Sequence, residues 1–209
     1  MKKYLFIGGT MAALVALALT FNTSLQANGQ VVVDKPAIDF TLSDITGKKV
    51  SLSDYKGKYV VLEWINYDCP FVAKHYNSGN MQALQKKYMD KGVVWLAVCS
   101  SAPGKQGHFS TAEIQNRLKQ HASTPTSYLL DTDGRVGQIY GATNTPHMYI
   151  VNPAGTLIYM GAIDDKPTAN RADIATARNY VQAALDAAMA GQAVPVKATK
   201  AYGCTVKYP

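Results

Sequence analysis

The run Tyr59-Val60-Val61-Leu62-Glu63-Trp64-Ile65-Asn66 constrains this chain more than any other segment, because it leads into a cysteine and then a helix. A nearly continuous apolar stretch of this length predicts a central strand covered on both faces. Cys69 follows, and Pro70-Phe71-Val72-Ala73-Lys74-His75 has helical spacing. A cysteine where a strand turns into a helix sits at the positive end of the helix dipole, beside unpaired backbone N–H groups. Both features favour thiolate, the reactive form of the side chain. Pro70 suits the first helical turn, where its missing N–H costs nothing. The plainer alternative is a buried, inert cysteine, which needs neither the proline nor the turn.

The remaining pattern alternates strands with helices. Ile38 to Leu42 and Val50 to Leu52 read as two short strands around the turn Asp44–Lys48, and Ser53 to Lys58 as a helical turn closed by Gly57. Pro70 to Lys91 reads as a helix broken near Ser78-Gly79-Asn80, and Val93 to Val98 as a second buried strand. Thr111 to His121 is helical, Thr126 to Leu130 extended, and Arg135 to Tyr140 a short helix. Met148 to Asn152 and Thr156 to Gly161 form a hairpin across Pro153-Ala154-Gly155, and Asp173 to Ala190 is an Ala-rich amphipathic helix. Strands alternating with helices, then a hairpin and a last helix, predict an α/β fold with a central mixed β-sheet flanked by helices.

Residues 1–27 read as a secretory signal peptide: Lys2 and Lys3, the apolar stretch Tyr4 to Phe21, then Leu25-Gln26-Ala27 as a cleavage site. An uncleaved anchor is the alternative, since the apolar stretch is long enough to be considered. Residues 28–192 then form one domain and residues 193–209 a C-terminal tail carrying Cys204. Export in a chain of bacterial type implies a periplasmic or secreted protein, where disulfides persist, with no stable membrane insertion after cleavage. The formal net charge is +7, but the lysines are scattered and no nucleic-acid module is visible, so no nucleic-acid partner is expected.

Several segments together resemble the thioredoxin-like superfamily in its redoxin branch, the alkyl hydroperoxide reductase and thiol-specific antioxidant proteins. They are Asp39-Phe40-Thr41-Leu42, Ser51 to Lys58, the strand into Cys69, and Thr145-Pro146 before the hairpin. The resemblance spans about residues 34–190 and implies a thioredoxin-like fold. In the thioredoxin Cys-x-x-Cys site, Cys69 takes the attacking position and Val72 stands where the second cysteine belongs. Glu63, six residues before Cys69, fills the place of a buried carboxylate that takes up a proton during exchange; a strand-end glutamate facing water is the alternative. Thr145-Pro146 resembles the cis-proline loop that faces the attacking cysteine and shapes the substrate groove with Pro70. His147 is then expected near Cys69, as a thiolate-stabilising or proton-shuttling neighbour or as an uninvolved loop residue. Peroxidases of the branch carry Pro-x-x-x-Thr/Ser-x-x-Cys, and this chain departs with Leu62 and Asn66 at those places.

With its local partner missing, Cys69 is expected to pair with Cys204, the alternatives for Cys204 being an intermolecular bridge or a free thiol. Cys99, at the end of a buried strand, reads as a small apolar residue. Copper chaperones of this fold use two cysteines and a distal histidine, so a copper site here has to borrow Cys204 or His147; His75 reads as a surface or packing residue. Asp131-Thr132-Asp133-Gly134 reads as a turn, and Asp164-Asp165-Lys166-Pro167 as a capped loop. The function expected is thiol–disulfide oxidoreduction without cofactor or metal, acting on protein or small-molecule thiols and disulfides and supplied by an unidentified electron donor. A peroxiredoxin-like thiol peroxidase and a non-catalytic copper-binding protein are the rivals.

Overall fold

The computed structural model describes Met1 and residues 29–209, so the signal-peptide reading of residues 1–27 lies outside the described residues apart from Met1. The strands are β1 (Thr41–Asp44), β2 (Lys49–Ser51), β3 (Val60–Trp64), β4 (Val94–Cys99), β5 (Ser127–Leu130), β6 (Asn144–Thr145), β7 (His147–Val151), β8 (Leu157–Gly161) and β9 (Cys204–Thr205). The helices are α1 (Pro70–Asn77), α2 (Asn80–Met89), α3 (Thr111–Gln120), α4 (Arg135–Tyr140) and α5 (Tyr180–Met189), with 3₁₀ turns at Leu52–Tyr55 and Arg171–Thr176. Seven strands form one mixed sheet in the order β2-β1-β5-β4-β3-β7-β8, and β6 pairs with β9 separately. The centre is parallel, β3 to β4 and β4 to β5, while β7 lies antiparallel to β3.

The apolar runs explain the middle of the sheet. Every residue of β3 and β4 is buried. Val61 and Ile65 join Trp95 and Ala97 in a core under α1, α2 and α5, whereas Leu62 and Trp64 join Leu96 and Val98 in a second core on the opposite face. Each such aliphatic side chain contributes roughly 1.5–3 kcal/mol on burial, which is why a strand without alternation is stable only at this central position.

Two helix boundaries are set by backbone chemistry. Gly79, at φ 76°, adopts the left-handed conformation that ends one turn and starts the next, dividing the Pro70–Lys91 segment into α1 and α2. The C-terminal helix is shorter than Asp173–Ala190. Arg178 is drawn out straight because its N–H donates to the Asp165 carboxylate (2.9 Å) and its carbonyl accepts the Asp165 N–H (3.2 Å). α5 therefore begins after Asn179, whose side chain accepts the Gln182 N–H. At the other end of the chain, β1 starts later than Ile38, because the Asp39 carboxylate takes the N–H groups of Phe40 and Ser53.

Residues beyond α5 are not loose. Thr199 Oγ1 bonds Tyr159 and the Ala162 N–H, Val206 N–H donates to Thr143 (3.0 Å), and Tyr208 donates to the Ala142 carbonyl (2.6 Å). These contacts thread the tail back across the end of the sheet where β3 runs into α1.

Candidate active site

Cys69 is the N-cap of α1, with extended backbone (φ −79°, ψ 123°) and Pro70 opening the helix. Its N–H donates to Asn66 and its carbonyl accepts the Ala73 N–H, so the turn out of β3 fixes the cysteine's position. The side chain has no exposed surface. Its Sγ lies 3.1 Å from the Thr145 carbonyl, to which the thiol donates, and the Thr145–Pro146 bond is cis.

The tail supplies the other wall. β9 pairs antiparallel with β6, with Cys204 opposite Thr145 and Thr205 opposite Asn144. The Cys204 N–H points at Cys69 Sγ across 3.4 Å. Burial, then the contact with Cys69, pushes the Cys204 thiol up to about 12, so Cys204 keeps its proton. All three cysteines are free thiols here, with Cys69 and Cys204 adjacent but not bridged. Cys99 is buried at the end of β4, its thiol facing the Gly107 carbonyl (3.3 Å).

Of the two residues expected to handle protons, one lies on the other face of the sheet from Cys69. His147 does not reach it: on β7 it pairs with Trp64, and its ring stacks on Tyr149 on the other face of the sheet, with Nδ1 near Tyr149 Oη (3.2 Å). The alternation of side chains along a strand decides this, since Met148 takes the face shared with Cys69. Burial pushes the His147 imidazole down to about 4. Glu63 is fully buried rather than facing water, on the same face as Cys69 but held by other groups. Tyr76 donates to both carboxylate oxygens (3.0 and 3.1 Å) and Trp95 Nε1 to one of them (2.8 Å). Burial raises its carboxyl to about 7, against those three hydrogen bonds.

A buried ionic cluster, not legible as one in the sequence, seats the tail. Asp164 accepts from the Tyr202 hydroxyl, and its other oxygen lies 3.4 Å from Lys74 Nζ. His75 Nε2 is 3.1 Å from Tyr202 Oη while Asn80 bonds Nδ1, which assigns the Nε2–H tautomer. Burial pushes His75 down to about 4, overriding the Asp164 charge. Lys74 also donates to the Lys166 carbonyl (2.7 Å). Lys74, His75 and Asp164 are buried: His75 takes the packing role of its two readings, and Asp164, read as part of a capped loop, joins it in a clasp two residues from Cys204. The adjacent polar pair Lys74-His75 inside an otherwise apolar helix is the one sequence signal for it. Among the described residues no group of three or more His, Cys, Asp or Glu is placed to hold a metal.

Comparison with known proteins bears on this geometry. The AhpC/TSA family model matches residues 33–160. The chain belongs to that family. It is 27% identical over 167 residues to the thiol-disulfide oxidoreductase ResA of Bacillus subtilis, covering 75% of this chain and 84% of that one. A probable phospholipid hydroperoxide glutathione peroxidase of Nicotiana tabacum is 37% identical, over only 38% of this chain and 46% of that protein. An uncharacterized conserved protein of Geobacillus kaustophilus superposes with a TM-score of 0.72 at 28% identity, over 86% and 94% of the two chains. The thioredoxin domain of a Bacteroides vulgatus thiol-disulfide oxidoreductase superposes with a TM-score of 0.50 at 22% identity, over 63% and 89%. The protein is thus an oxidoreductase of the thioredoxin-like, redoxin type.

Proposed function

We propose that the protein is an exported thiol–disulfide oxidoreductase in which Cys69 and Cys204 alternate between dithiol and disulfide. The observation that carries this is the Cys204 N–H at 3.4 Å from Cys69 Sγ, held in register by the β6–β9 pairing. Cys69, at the start of α1, attacks one sulfur of an incoming disulfide as thiolate and forms a mixed disulfide; the leaving sulfur departs as thiolate. Cys204 then loses its proton and attacks Cys69 Sγ, closing the protein disulfide and releasing the second substrate thiolate. Glu63 titrates near neutrality on the same face and serves as proton reservoir for the cycle. Because Cys69 has no exposed surface, β9 lifts from β6 to admit the substrate.

The partial match to a glutathione peroxidase favours peroxide as a second oxidant, reacting at Cys69 to give a sulfenic acid that Cys204 resolves. Stopped-flow oxidation by hydrogen peroxide, compared with free cysteine, separates the two.

Steady-state reduction of a model disulfide tests the main reading. Cys69→Ser is expected to fall to the uncatalysed rate, and Cys204→Ser to accumulate a mixed disulfide on Cys69. Full turnover by Cys69→Ser would overturn it. Export is tested by the N-terminal sequence of protein recovered outside the cytoplasm, expected to start near Asn28.

A further inference from the structure

The two cysteines differ in exposure. Cys69 is completely buried, while Cys204 is partly exposed on β9. Linking the two ties β9 down over Thr145, on the edge that a substrate strand would otherwise occupy. Gly203 tightens that seat: at φ 121° it lies so close to the Thr145 carbonyl that any Cβ would run into it. The clasp of Tyr202 with Asp164 and His75 holds one side of Cys204, and the Val206–Thr143 and Tyr208–Ala142 bonds hold the other.

Attack on a disulfide needs the incoming thiolate in line with the S–S bond, on the side away from the leaving sulfur. Cys69 offers no such approach in the closed form. We infer that the reducing half of the cycle runs through Cys204: an external thiol attacks Cys204 Sγ and expels Cys69 as the leaving thiolate. This rests on the Cys69–Cys204 pair proposed above and adds a direction to it. Oxidising substrates meet Cys69 when the dithiol tail lifts, whereas the reductant meets Cys204 when the disulfide has shut it.

The step balances. Donor RS⁻ forms an RS–Sγ bond to Cys204 as the Cys204–Cys69 bond breaks, and the electron pair leaves on Cys69 sulfur. A second donor thiolate attacks the donor sulfur of that mixed disulfide, giving RSSR and a Cys204 thiolate that takes up a proton. Two thiols are oxidised and one protein disulfide is reduced. The start of α1 and the Cys204 N–H receive the charge left on Cys69. The high proton affinity of Cys204 makes it a poor leaving group. The donor is therefore a thiol presented end-on to Cys204, not a polypeptide laid along Asn144–Thr145.

The test uses the oxidised full-length protein, mapped first for its disulfide. It is treated briefly with 2-mercaptoethanol, quenched in acid, alkylated with N-ethylmaleimide and mapped by mass. The mercaptoethanol adduct is expected on Cys204 and the maleimide on Cys69, in at least tenfold excess over the reverse. In Gly203→Ala, where β9 cannot seat, the adduct is expected to shift toward Cys69. An adduct mainly on Cys69, equal amounts on both, or no shift in Gly203→Ala would overturn this inference and leave the cysteine pair standing. Absence of the Cys69–Cys204 bridge in the first map would overturn both.

Discussion

Glu63 carries the sharpest expectation for a single residue. Its folded-state value of about 7 lies above the ordinary value of 4.5, so between these limits the folded protein holds a proton that the unfolded chain has released. Stability therefore falls as pH rises from 4.5 through 7, by up to about 3 kcal/mol for this one group. Glu63→Gln should remove that slope, leaving the variant more stable than the parent at pH 8, as read by denaturant unfolding at several pH values. If Glu63 also supplies the proton reservoir, the same substitution removes the inflection near pH 7 from the pH–rate profile. The position was legible from its spacing to Cys69, but its partners were not. Tyr76 lies on α1 and Trp95 on β4, and only the packing of that helix over the sheet brings them to the carboxylate. His147 shows the converse. Its nearness to Pro146 in sequence suggested contact with Cys69, whereas strand alternation turns its ring to the far face.

At the scale of elements, β9 is held by its side contacts rather than by its two residues. A two-residue ladder contributes little alone. Asp164 at the centre of the clasp faces Lys74 and Tyr202 in a buried setting, and removing its charge leaves Lys74 uncompensated. Asp164→Asn should destabilise the fold by about 3 kcal/mol and speed alkylation of Cys69 in the reduced protein. Tyr202→Phe loses one hydroxyl and should cost about 1–2 kcal/mol, with a smaller rise in Cys69 alkylation. Unchanged Cys69 alkylation in both would show that the clasp does not hold the tail. The order of strands and helices up to α5 was readable because apolar runs and turn residues mark it locally. The tail was not, since Tyr202-Gly203-Cys204 has no periodicity and gains its place from contacts with α1, Asn144, Thr145 and Asp164.

For the molecule as a whole, the buried titratable groups shape a stability curve with two limbs. His75 and His147 are both pushed down to about 4, below the usual 6.5, and so stay neutral in the fold. The unfolded chain binds their protons first, so stability is lost as pH falls from 6.5 toward 4. Glu63 acts in the opposite direction toward neutral pH, which places maximum stability between about pH 6 and 7. A urea midpoint that rose steadily from pH 6 to 9 would contradict this balance. Redox state adds to it: a bridge from residue 69 to residue 204 restricts most of the unfolded chain, and chain entropy makes the oxidised protein more stable by up to about 4–5 kcal/mol. Activity, tail docking and redox-linked stability all depend on the two sulfurs brought together by β9. Mass mapping of disulfides in protein purified without reductant tests that directly: Cys69 linked to Cys204 within one chain, with Cys99 unmodified, is the predicted result, and Cys69 free, or joined to Cys99 or to a second chain, would contradict it.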